Sequence, residues 1–282
     1  MMSHSIAAAR APSGSVAGVP VHVHGLGELG FELASRLAAA GAQVAGFDIH
    51  PQAQTRWSTV HAVTPVDPPR VVVLCVTDEA ASRSLVDQHL HRWLPGTVVI
   101  EHGTVSPACA RDTARRCKEA GLRYIDAPLS GGADGARRGV LVAMLGAEPA
   151  DRAVVMPVLG AYCAHVVPVG APGDGQTCKL ANQLAIAGIA AGLAVAQRFA
   201  LANGLNLETV FTALAQGSAQ SVQLDRLQAA LGNPTPAAAE RFAWLRKDLD
   251  HCAEVSDSSQ PLVALWRDLW ASPQASCKDP VS

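Results

Sequence analysis

Val19-Pro-Val-His-Val-His24 runs into Gly25-Leu26-Gly27-Glu28-Leu29-Gly30, and a helical pattern follows through Ala40 until Gly41 stops it. The order is strand, glycine turn, helix. In that order each glycine has its own physical reason: the first permits the tight turn, the second lets the backbone approach a pyrophosphate, and the third allows close helix–strand packing. Phosphate charge then meets the helix N-terminus. A second strand, Gln43 to Phe47, ends in Asp48, about 20 residues beyond the glycines, where an acid grips a ribose 2′-hydroxyl. Together the two features indicate a dinucleotide site. A carboxylate at 48 repels a 2′-phosphate, and Ile49 and His50 bring no arginine to hold one, so NAD is expected over NADP.

Outward from this start, Arg70 to Val76 is a continuous apolar run, as in a parallel strand covered on both faces. Thr77-Asp78-Glu79 opens a loop and helix, while the proline-broken Pro51 to Pro69 leaves room for only an abbreviated crossover helix. Val98 to Glu101 reads as another strand, and Thr104-Val-Ser-Pro107 caps a helix ended by Gly121. Arg123 to Ile125 restarts a strand that delivers Asp126-Ala-Pro-Leu-Ser-Gly-Gly132, and strands at 141–145 and 165–169 complete a β-rich end. Beyond Gly173 no β-branched run survives, and the pattern predicts helices at 176–203, 207–216, 219–231, 237–256 and 261–270. The expected fold class is α/β: a Rossmann-type doubly wound sheet over 19–172, then an all-α domain over 173–282 built on a long interdomain helix. Residues 1–18, rich in Ala, Gly, Ser and Pro, are expected to form a disordered tail.

Composition narrows the function classes. The formal net charge is -2, and no basic cluster exceeds Arg115-Arg116-Cys117-Lys118, which argues against a nucleic-acid partner. Seven scattered cysteines without a Cys-x-x-Cys fit neither a disulfide framework nor a zinc ribbon, so no metal is expected and a reducing cytoplasm fits best. Leu184 to Ala196 is apolar but bracketed by Gln183 and Gln197-Arg198, short of the ~20 residues a bilayer span needs. It reads as an interior helix. Because Leu184 to Ala202 is apolar around much of its circumference, a partner chain is expected to cover it, making a homodimer or homotetramer.

Four stretches carry a resemblance: Gly25 to Gly30, Asp126 to Gly132, Gly173-Asp-Gly-Gln-Thr-Cys-Lys-Leu-Ala-Asn-Gln183, and Lys247-Asp-Leu249. In order and spacing they resemble the β-hydroxyacid dehydrogenase family, the group of 3-hydroxyisobutyrate dehydrogenase and tartronate semialdehyde reductase, related to 6-phosphogluconate dehydrogenase. The resemblance covers roughly residues 20 to 270. It implies hydride transfer between nicotinamide and a small 3-hydroxy acid or its semialdehyde, with Lys179 as general acid and base. It further implies that Asn182 or Gln183 orients the substrate and that Ser130, Gly131 and Gly132 bind its carboxylate. Lys247 would close over substrate or nicotinamide from the second domain. The implied cofactor residues are Gly25, Leu26, Gly27, Glu28, Leu29, Gly30, Asp48, Val76, Thr77, Thr104 and Lys247. Asp248 is given no catalytic role; it is expected to cap, or to pair with Arg246 or Lys247, on a solvated helix.

The chain departs from the family at Gly103, where many members place serine or threonine, and at His22 and His24 on a strand that is usually apolar. Two other readings compete: an imine reductase of the same fold, and a non-catalytic dinucleotide-binding oligomer. Lys179 argues against both, since imine reductases typically carry aspartate or tyrosine there and non-catalytic relatives lose the lysine.

Overall fold

The computed structural model describes residues 14–61, 67–231 and 245–270. The chain divides into two compact units, one ending at Lys179 and the other beginning at Leu180. In the first, β1 (Pro20–His24), α1 (Glu28–Ala39), β2 (Gln43–Phe47), α2 (Pro51–Val60), β3 (Val71–Leu74), α3 (Glu79–His89), β4 (Val98–Glu101), α4 (Pro107–Glu119) and β5 (Arg123–Asp126) alternate along the chain. Their strands form a parallel sheet in the order β2-β1-β3-β4-β5. The chain leaves β1 toward β2 on one side and reaches β3 on the other, so the crevice where ligands settle opens at the carboxyl ends of β1 and β3.

Alternation along the strands explains the two covered faces. Val21, Val23, Val71, Val73, Ile100 and Ile125 pack with Leu33 and Leu37 of α1, whereas Val72, Leu74, Val99 and Tyr124 pack with Val86, Leu90 and Cys109 on the other side. Side chains two apart share a face, so a strand covered on both sides must be apolar throughout. The helices begin where polar side chains cap them: Asp78 accepts from the Ala81 amide, and Ser106 accepts from the Cys109 amide ahead of Pro107.

The sheet then turns antiparallel. β6 (Leu129–Ser130) and β5 both pair antiparallel with β7 (Leu141–Gly146), and β8 (Cys163–Gly170) lies parallel to β7. Two helices interrupt what the sequence suggests is a β-rich stretch, α5 (Gly132–Arg138) and α6 (Pro149–Gly160). Residues 1–13 of the expected tail lie outside the described residues, whereas Val16 is buried in the first core and the Gly18 amide donates to Gly41 O.

A single helix, α7 (Asp174–Ala202), crosses the division between the units. It starts two residues earlier than its sequence pattern suggests. In the second unit its residues Leu180, Ala187, Ala190, Ala191 and Leu193 pack with Phe211 of α8 (Leu207–Ala215), with Leu224 of α9 (Val222–Leu231), and with Leu249, Val263 and Trp266 of the helices Leu245–Val255 and Gln260–Trp270. The portion 237–244 of the helix expected at 237–256 lies outside the described residues. Among the described residues α7 alone is long and apolar enough to cross a membrane by length and composition. Its first turn is bonded to the end of β5, and its apolar residues divide between the second core and an exposed stripe at Ile189, Val195 and Phe199.

The two unexpected histidines of β1 share its α3 side. The His24 ring stacks on Phe47 at 4.9 Å between centroids and lies 5.7 Å from His89, and its buried Nε2 has no hydrogen-bond partner among the described residues. Burial, reinforced by His22 and His89, pushes the His24 imidazole down to about 3; burial also lowers His102 to about 4. Both are therefore neutral in the fold, while the unfolded chain takes up their protons first as pH falls. Urea unfolding is expected to show stability lost below about pH 6.5, at roughly 1.4 kcal/mol per pH unit for each group. His24→Phe should remove one such contribution, about 1.4 kcal/mol per pH unit, whatever the other groups add.

Candidate active site

The sheet's carboxyl edge lines up the strand ends that precede the candidate residues of the first unit. Pairing places Phe47, His24, Leu74, Glu101 and Asp126 side by side at the ends of β2, β1, β3, β4 and β5. The loops that leave this row carry the candidate residues.

The glycine turn leaves β1. Gly25 has φ +92°, a left-handed conformation that disfavours other residues, and a Cβ there would collide with the Cys75 carbonyl of the next strand. A Cβ on Gly30 would collide with Gly25 O. At Gly27 a Cβ would meet nothing within 4 Å. The turn is therefore closed toward the protein at its first and third glycines and open at its second, as an approaching pyrophosphate requires. Gly27 is also the N-cap of α1 and supplies no capping side chain, so the helix start is left for a ligand anion. Leu26 is buried, while Glu28 and Leu29 begin α1.

Asp48 is tied into this turn. Its Oδ2 accepts from the Leu26 amide at 2.6 Å and its Oδ1 from the His50 amide at 2.8 Å. Gln54 braces it from α2, accepting from the Asp48 amide at 3.0 Å and donating to Gly46 O at 3.0 Å. Val76 and Thr77 follow β3, half-buried and exposed respectively, and the Thr77 hydroxyl donates to Asp78 Oδ2 at 3.3 Å.

After β4, Glu101 turns back on its own loop. Its Oε1 accepts from the Gly103 amide at 2.8 Å, and its Oε2 accepts from the Ser82 hydroxyl. A Cβ on Gly103 would lie 2.7 Å from Glu101 Oε1, so a glycine at 103 and a glutamate at 101 belong together. His102 is buried between Ala127 O, 2.6 Å from Nδ1, and the Tyr162 hydroxyl, 2.8 Å from Nε2. Thr104 is half-buried in the same loop.

Lys179 and the Ser130 loop meet. Lys179 is buried, and its Nζ donates at 2.7 Å to the Leu129 carbonyl, the peptide oxygen just before Ser130. Gly131, the N-cap of α5, has φ +126° and a Cβ there would press on Leu141 at 2.8 Å, whereas a Cβ on Gly132 would meet nothing within 4 Å, so the loop is open at Gly132. Two residues to which sequence reasoning assigns no role hold the start of α7. The Asp126 carboxylate accepts from the Gly173 amide at 2.7 Å and the Gln176 amide at 2.8 Å, and burial pushes it up to about 6 against the pull of those amides. Gln176 bonds the loop after β4.

In the second unit, Gln183 is fully buried and donates to Asp248 Oδ2 at 2.6 Å, while Asn182 donates to Gln183 Oε1 at 2.9 Å. Lys247 Nζ lies 3.7 Å from Asp248 Oδ1. Asp248 is thus not on a solvated helix face: it is 4% exposed and linked to Gln183. The signal was present in the spacing, since Leu245, Asp248, Leu249 and Cys252 fall on one helical stripe, all of them buried.

A doubly wound sheet with an open glycine turn at its switch point defines a dinucleotide-binding protein. A family model for the NAD binding domain of 6-phosphogluconate dehydrogenase matches residues 20–170, and one for the NAD-binding of NADP-dependent 3-hydroxyisobutyrate dehydrogenase matches 173–279. The chain belongs to the β-hydroxyacid dehydrogenase family, oxidoreductases that use a nicotinamide dinucleotide. It is 30% identical over 264 residues to an uncharacterised oxidoreductase of Shewanella frigidimarina, covering 89% of this chain and 91% of that one. It is 31% identical over 213 residues to the 2-hydroxy-3-oxopropionate reductase of Escherichia coli, covering 70% of each. The solved 3-hydroxyisobutyrate dehydrogenase of Salmonella typhimurium matches with a TM-score of 0.77 at 25% identity, covering 88% of this chain and 93% of that one.

The two outer glycines and the middle one should respond differently to a methyl group. Gly30→Ala is expected to destabilise the fold by more than about 3 kcal/mol in thermal or urea unfolding. Gly27→Ala should leave stability within about 0.5 kcal/mol of the parent and weaken dinucleotide binding at least about tenfold, measured by fluorescence titration.

Proposed function

We propose that this chain interconverts a small 3-hydroxy acid and its aldehyde or ketone, with Lys179 as the general acid and base. The observation that carries the reading is the buried Lys179 ammonium held on the Leu129 carbonyl, at the mouth of the Ser130-Gly131-Gly132 loop. Nicotinamide, when bound, supplies or accepts the hydride. In reduction Lys179 Nζ gives a proton to the carbonyl oxygen as hydride adds to its carbon; in oxidation the neutral amine takes the hydroxyl proton as hydride departs. The open backbone at Gly132, with the Gly131 peptide and the Ser130 hydroxyl, receives the substrate carboxylate. Asn182 or Gln183 supplies the orienting amide, and Lys247 closes over the bound pair. The names of the relatives, 2-hydroxy-3-oxopropionate reductase and 3-hydroxyisobutyrate dehydrogenase, support a short β-hydroxy acid as substrate.

Lys179 also favours this chemistry over imine reduction and over mere dinucleotide binding. Lys179→Met should lower kcat by about a hundredfold to ten-thousandfold, with NAD binding nearly unchanged, in an absorbance assay across hydroxy acids and semialdehydes. Turnover at the parental rate would overturn the role.

The remaining cofactor residues of the reading are those of the glycine turn, Asp48, Val76, Thr77 and Thr104. We take NAD to be preferred, because the Asp48 carboxylate would repel a 2′-phosphate and the exposed Ile49 and His50 beside it carry no guanidinium. Initial rates should give kcat/KM for NAD at least about tenfold above that for NADP.

We also take the working form to be a cytoplasmic homodimer or homotetramer. The apolar stripe of Ile189, Val195 and Phe199 on α7 supports a second copy as its cover. Sedimentation at micromolar concentration should give an oligomer, and Phe199→Glu should shift it toward monomer.

A further inference from the structure

Gln176 bonds both peptides flanking Thr104. It is fully buried, its Oε1 accepts from the Val105 amide at 3.2 Å, and its Nε2 donates to the Gly103 carbonyl at 2.8 Å. Its own amide is held by Asp126, so it is fixed from the main chain as well. Three residues on, within the same turn of α7, stands Lys179.

We propose that Gln176 is a positioning residue for the reaction, setting the Thr104 loop against the helix turn that carries Lys179. The inference rests on the proposed role of Lys179. The loop has no slack at its start: Gly103 N is taken by Glu101, and a Cβ at 103 would press on the same carboxylate. Bridging a carbonyl and an amide two residues apart needs one donor and one acceptor on a single planar group, which a carboxamide provides and an aliphatic chain of equal size does not. Removing it would leave a part-buried carbonyl and a buried amide unsatisfied, and the loop would shift to satisfy them. A shift of about 1 Å between Lys179 and the cofactor residues is enough to cost turnover about a hundredfold.

Two substitutions separate positioning from packing. Gln176→Leu keeps the volume and loses both bonds at every pH. Gln176→Glu reproduces both bonds while its carboxyl is protonated, the hydroxyl donating to Gly103 O. Once ionised, it loses the donor and repels that carbonyl. Burial raises the titration of such a carboxyl above its usual range. Expected for Gln176→Leu is a fall in kcat of about ten- to a hundredfold with KM for NAD within about threefold. Assayed in the oxidation direction, Gln176→Glu should turn over near the parental rate at low pH and lose activity as pH rises, whereas the parent, whose Lys179 acts there as a neutral base, gains activity over the same range.

The parent, both variants and Lys179→Met are assayed together from about pH 5.5 to 9, with thermal unfolding followed by circular dichroism. Parental kcat and pH profile in both Gln176 variants, with Lys179→Met inactive, would overturn this inference and leave the site reading standing. Loss of folding in both would make Gln176 a packing residue and overturn it equally. Parental turnover in Lys179→Met would overturn the site reading, and this inference with it.

Discussion

The structure of the first unit depends on one buried carboxylate. Asp126 ends β5 with its side chain fully enclosed, and it receives two amides, from Gly173 and Gln176, at the point where α7 begins. A charge so enclosed is costly, which is why burial raises its titration to about 6. The two amides and the positive end of a 29-residue helix offset that cost. The neighbourhood admits nothing larger. A Cβ on Gly175 would lie 2.6 Å from Met144 O and 2.7 Å from Asp126 O, and one on Gly146 would run into the carboxylate itself. The register of α7, and with it the height at which Lys179 emerges, is set by that fit.

From the same row at the carboxyl ends of the strands the other loops depart, and their polar groups are shared rather than duplicated. Glu101 serves Gly103 and Ser82, His102 joins Ala127 to Tyr162, and Gln54 braces Asp48. Inside this edge β3 and β4 are apolar on both faces, so each unpaired polar atom there would be expensive. The departure at Gly103 loses its oddity in this light, because the space a side chain at 103 would take is filled by the Glu101 carboxylate.

Much of the fold was legible. The Gly25 to Gly30 turn, the acid at 48, the apolar run at Val71 to Leu74 and the helix-only texture after Gly173 are local signals of period and turn chemistry, and the sheet and helices follow them. The antiparallel end was not legible, since β6 is two residues long and α5 only seven, too short to show a period. The roles of Gln176 and Asp126 were hidden because their partners lie 71 to 73 and 47 to 50 residues away. Asp248 reads locally as a solvated charge beside Arg246 and Lys247, yet it falls on the buried stripe of Leu245, Leu249 and Cys252, whose cover comes from distant parts of the second core.

By itself the sequence determined the order of strands and helices, the glycine turn, and the family to which the chain belongs, because these depend on neighbours within a few residues. Only the tertiary structure decided where α7 begins and what Lys179, Gln176 and Gln183 touch. Those contacts are made across the sheet or the second core, between groups brought together by burial, and a buried polar group takes whichever partner the packing leaves within reach.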